Sequence, residues 1–152
     1  MKYAIALLVA LTLCTQADAR GRRGQSSGGG GVSHSVPLEN YAGPTLDVEK
    51  SLVERTNIER ARFGLLPLIL DPILQLRARR HTAWMARNGS MTHSNEGREN
   101  IGMGQGDSAA IISAWMNSSG HRANILAPGI TKIGVVGYST PNGTPFWTMS
   151  LE

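Results

Sequence analysis

Apolar positions fall into a helical period along most of the chain and into a strand period at its end. From Leu46 to Phe63, LDVEKSLVERTNIERARF sets Glu49 against Val53 and Leu52 against Thr56 at four-residue spacing, with charge on the other face. This predicts a helix, stopped by Gly64. Asp71-Pro72 pairs an N-cap residue with proline at the first helical position. Leu74, Ala78, His81 and Met85 follow at helical spacing, and Asn88-Gly89 closes a second helix. A third is predicted over Ser108–Met116, capped by Asp107 or Ser108, and a short turn of helix over Gly120–Leu126. The period then changes. Thr131–Ser139 is β-branched and glycine-spaced, Pro141-Asn142-Gly143 is a turn, and Thr144–Leu151 returns with Trp147, Met149 and Leu151 on one face. Asn-Gly between two such runs predicts a hairpin. Helices first and a hairpin last indicate an α+β architecture rather than a parallel nucleotide-binding sheet.

The N-terminus has a different character. Met1-Lys2 is followed by the short apolar run Ala4–Leu13 and by Ala17-Asp18-Ala19. That is the pattern of a secretory signal peptide cleaved after Ala19. The run is too short to span a bilayer, which takes about 20 residues, so no transmembrane anchor is expected after cleavage. Cys14 follows Leu13 where a lipidation signal needs a small residue. It is also the chain's one cysteine. Its removal with the signal leaves a mature protein without disulfides, thiolate metal sites or a cysteine nucleophile. Residues 20–45 read as a flexible Gly/Arg/Ser-rich leader, and residues 46–152 as the folded domain. The net charge of +4 sits mainly on the leader, through Arg20, Arg22 and Arg23. The near-neutral remainder argues against a nucleic-acid binder, and Arg77, Arg79 and Arg80 read as the solvated face of the second helix.

Candidate chemistry concentrates between residues 91 and 126. His93, Glu96 and Glu99 precede His121 in GHRANIL, and two imidazoles with a carboxylate are a ligand set for zinc or another divalent ion. The same groups suit general acid–base work. On spacing alone, structural hydrogen bonds for both histidines are the favoured reading. His81, on the apolar face of the second helix, reads as a satisfied, partly buried histidine. GMGQG at 102–106 lacks dinucleotide-loop spacing, and neither G-x-S-x-G nor H-E-x-x-H occurs.

Taken in order, NIERARFGLLPL at 57–68, Asp71-Pro72, His93, Glu99-Asn100-Ile101, Trp115, GHRANIL at 120–126, Ile133-Gly134-Val135 and Phe146-Trp147 resemble the CAP superfamily (SCP-like, SCP/TAPS), nearest its short, cysteine-free bacterial branch. The resemblance covers roughly Leu46–Leu151. It implies a three-layer α-β-α sandwich around a small antiparallel sheet. It also implies a cleft in which His93 and His121 are the two histidines and Glu99 one of two acids. The second acid's position is Ser118, so the set is incomplete, and His93, His121 and Glu99 would supply three metal ligands at most. The implied function is that of a secreted, extracellular or periplasmic binding module, whose cleft takes a divalent metal or a small, lipid-like ligand. Two alternatives stand beside it. One is a metal-dependent hydrolase with Glu99 as base. The other is a cell-envelope interaction protein, touching anionic polymers through Arg20, Arg22 and Arg23. Fold alone does not choose among them.

Overall fold

The computed structural model describes residues 45–152. The signal peptide read at 1–19 and the leader arginines Arg20, Arg22 and Arg23 lie outside the described residues. Helix α1 spans Asp47–Arg62. Its buried stripe is Glu49, Leu52, Thr56 and Arg60, at helical spacing but half charged. Each charge is satisfied. Glu49 accepts the amide of Leu46 at the helix start at 2.8 Å. The Arg60 guanidinium donates to the carbonyls of Leu66, Ile125 and Ala127 at 2.9, 2.7 and 3.2 Å. It thereby ties the helix to two later turns.

Strand β1, Ile69–Leu70, leads directly into α2, Pro72–Asn88. Asp71 caps α2 by accepting the amides of Ile73 and Leu74. Those donors, Leu74's foremost, hold its carboxyl below the usual aspartate value. Gly89, with φ near 58°, closes the helix in the left-handed conformation. Strand β2 spans Arg98–Met103, α3 Ser108–Met116, α4 Ser119–Ile125, β3 Lys132–Ser139 and β4 Pro145–Leu151. The helices and the terminal hairpin fall where the sequence pattern places them, to within a residue.

The four strands form one sheet in the order β1-β3-β4-β2. Its β2–β4 and β3–β4 pairs are antiparallel, as expected. The two-residue β1 pairs parallel to β3, making the sheet mixed. Neither β1 nor β2 is evident from the sequence pattern. One face of the sheet presents Ile133, Val135, Trp147, Met149 and Leu151 to Leu52 of α1, Ile111 and Trp115 of α3 and Ile125 of α4. The other receives α2, with Met85 on Ile101 and Phe146, and Thr82 donating to Thr148 at 2.6 Å. This is the expected α-β-α layering. The approach of α2 depends on Gly134, where a Cβ would collide with the backbone of Leu74 and Gln75.

The buried side of α2 overturns one expectation. Arg79 is 8% exposed and holds Glu49 through two contacts, at 2.8 and 2.5 Å. Arg77 pairs with Glu96 and Glu152. Of the three arginines, only Arg80 is exposed. Adjacent helical residues are rotated by about 100°, so Arg79 turns to the buried side while Arg77 and Arg80, three apart, stay on the outer one.

Candidate functional site

The site is built on β2, which alternates its side chains between the two faces of the sheet. Glu99 and Ile101 point toward α2, while Asn100 and Gly102 face α3 and α4. Asn95 and Gly97, both at positive φ, turn the preceding loop and bring residues 92–94 back over Glu99. The Glu99 side chain is only 4% exposed, and both its oxygens are engaged. Oε2 accepts from His93 Nδ1 at 2.9 Å and from the Ser94 amide at 3.0 Å, and Oε1 accepts the Ser94 hydroxyl at 2.9 Å.

This arrangement fixes the imidazole. With its proton on Nδ1, donated to Glu99, neutral His93 carries its lone pair on Nε2. The His93 side chain is 53% exposed. A carboxylate holding one nitrogen of a histidine is the usual arrangement behind a ligand-binding imidazole.

His121 arrives from α4, which is clasped to the outer edge of β2. Asn124 donates to the Glu99 carbonyl at 3.1 Å and to Asn100 Oδ1 at 2.8 Å, while Asn100 donates to the His121 carbonyl at 3.0 Å. Arg98 completes the clasp by donating to Asn124 Oδ1 at 3.0 Å. Burial, and secondarily the nearby His93, lowers the pKa of His121 below the usual imidazole value. Both histidines and Glu99 are thus brought to one region. Ser118 is the N-cap residue of α4 and makes no side-chain capping bond. Among the described residues, the hydrogen bonds to the Glu99 carboxylate come from His93 and Ser94.

His81 is partly buried and satisfied, as its place on α2 suggests. Its Nε2 donates to the Thr92 carbonyl at 2.7 Å. It nevertheless borders the site, since that nitrogen lies 3.8 Å from Glu99 Oε1. The structural importance of Asn100, Asn124 and Ser94 is not readable from spacing. Their partners lie up to 25 residues away, so only the folded chain reveals them. Beside His93 and Ser94 runs an open groove of about 520 Å³. Residues of α2 and of the loop at 92–96, His93 included, form its walls.

As arranged, no three His, Cys, Asp or Glu side chains among the described residues form a metal cage. Glu99 is already occupied by its three donors. The donor set therefore fits a metal only through the two imidazoles, with Glu99 behind His93 rather than as a ligand.

A family model described as the cysteine-rich secretory protein family, CAP, matches residues 53–151. The chain belongs to this family. It is 38% identical to the protein YkwD and 30% identical to the membrane protein YlbC, both of Bacillus subtilis (strain 168). Each alignment covers 57% of this chain, but only 41% and 30% of those longer relatives. Among solved structures, the chain resembles an outer surface protein of Borrelia burgdorferi, with a TM-score of 0.61 and 20% identity over 70% of this chain and 95% of that one. It also resembles an extracellular SCP-domain protein of Bacillus anthracis, with a TM-score of 0.58 and 24% identity over 70% of this chain and 44% of that one. These structures share the CAP fold with this chain. No helix among the described residues is long and apolar enough to cross a membrane.

Proposed function

We propose that this CAP protein is secreted by its signal peptide and acts outside the cytoplasm as a binding module. His93 and His121 are its ligand-contacting groups, and a divalent cation such as zinc is the ligand that best suits them. The observation carrying this reading is the Glu99 frame, which holds His93 by Nδ1 and leaves Nε2 as the free nitrogen. The depressed pKa of His121 keeps its imidazole neutral, hence able to coordinate, at neutral pH. Water would complete the coordination shell, so modest affinity is expected.

The hydrolase alternative is less well supported. Glu99 would have to release His93 and Ser94 before it could act as a base. A lipid-like ligand gains little from the groove, because Trp84 is the one large apolar side chain among the described residues lining it.

Calorimetric titration of zinc into the full chain, beside a His93→Ala/His121→Ala variant, tests the proposal. We expect saturable binding that the double variant loses. Equal binding by both proteins, or none by either, would contradict it.

A further inference from the structure

We propose that the groove over α2 is a second binding site, for an acidic polysaccharide, with Arg80 and Arg87 gripping its carboxylates on either side of Trp84. The three residues stand at i, i+4 and i+7, so they form one ridge along the exposed face of α2. All three line the groove. Trp84 is 42% exposed, whereas Trp115 and Trp147 are 1% and 3% exposed. An indole left at the surface is costly unless something covers it. The ring stacks on His81, with centroids 6.0 Å apart and planes 8° from parallel, which holds its orientation.

Charge decides the kind of occupant. Three guanidinium groups line the groove against one carboxylate, that of Glu96. Glu96 already pairs with Arg77 at 3.3 Å, and Arg77 is held again by Glu152 at 3.0 Å. Arg80 and Arg87 are exposed and have no ion-pair partner among the described residues. Both are therefore available for the bidentate pairing that guanidinium makes with carboxylate.

Spacing decides between a small anion and a polymer. Arg80 and Arg87 are two helical turns apart, about 10 Å along the axis. That distance suits two anionic groups on one chain better than a single small anion. Between them, the indole face offers a platform for the C–H face of a sugar ring, whose positive edges complement the negative π face. A nucleic-acid strand is a poorer match, because such sites stack successive bases on successive rings, and this ridge carries one.

The groove shares His93 with the proposed metal pair, but its grip on carboxylates rests on Arg80 and Arg87 and needs no metal. Polygalacturonate is titrated into the full chain in the presence of a chelator, by calorimetry and by tryptophan fluorescence, with neutral dextran and oligo(dT) as comparisons. We expect saturable polygalacturonate binding, a fluorescence change from the exposed Trp84, and no binding of dextran. Arg80→Gln/Arg87→Gln and Trp84→Leu should each weaken binding about tenfold or more, the latter followed by calorimetry. Because a chelator is present, the outcome does not depend on zinc binding at His93 and His121. The leader arginines are the same in every variant, so these differences report the groove. Binding unchanged in the arginine double variant would overturn the proposal, as would tighter binding of oligo(dT) or no saturable binding.

Discussion

His93 and His121 are chemically alike, but their surroundings give them different roles. His93 is exposed and held by Glu99 through one nitrogen. His121 sits in a helix whose burial lowers its pKa. That difference makes stability depend on pH. As pH falls through the ordinary imidazole value, about 6.5, the unfolded chain gains a proton at His121 before the folded chain does. The folded state therefore loses stability across the window down to the depressed pKa, and keeps its full contribution above 6.5. Asp71, the other lowered group, titrates at and below the ordinary aspartate value, well outside this window. Urea unfolding of the metal-free protein between pH 7.5 and 5 should show the decline, and His121→Asn should flatten it. An equally steep decline in the variant would assign it to another group. His93, Glu99 and His121 were legible as candidates because their residue types are uncommon in so short a stretch. The roles of Ser94, Asn100 and Asn124 were not, since an amide or hydroxyl signals nothing until its partner is known.

At the scale of elements, caps and periodicity made the helices legible. Asp71-Pro72 and Asn88-Gly89 mark both ends of α2 without ambiguity. Strand β2 escaped because RENIGM has no alternating apolar face. Its buried polar residues, Glu99 and Asn100, are tolerated through side-chain partners on other elements. Strand β1 escaped because two residues carry no period. Where β1 ends, α2 continues its work. Gln75 donates to the Val135 carbonyl at 2.7 Å and accepts the Val135 amide at 2.9 Å, taking the place of a neighbouring strand. Gln75→Leu would leave both buried backbone groups unpaired, at a cost of about 3 kcal/mol. Denaturant unfolding should show that loss, together with faster exchange of the Val135 amide. A variant as stable as the unaltered chain would mean that water or another side chain serves this edge.

At the scale of the molecule, the layers explain why the site lies where it does. The sheet is covered by α2 on one face and by α1, α3 and α4 on the other. Strand β2 is an edge strand, reached by α2 and its following loop from one side and by α4 from the other. Residues distant in sequence, His93 and His121, are therefore carried near each other at this edge. The layer order was legible only through family resemblance, because the contacts that join the layers, such as Glu49 with Arg79, link residues thirty positions apart. The arginine run showed the same difficulty. Its members point to a buried carboxylate, a surface ion pair and an open groove, which composition cannot distinguish.

Nitrogen-detected NMR of the histidine rings during zinc titration tests the central claim most directly. Before zinc, we expect neutral His93 with its proton on Nδ1 and His81 with its proton on Nε2. On titration, the His93 Nε2 and His121 ring signals should move together and saturate, while His81 stays in place. A His93 proton found on Nε2, or zinc shifts confined to other histidines, would contradict a metal-binding role for this pair.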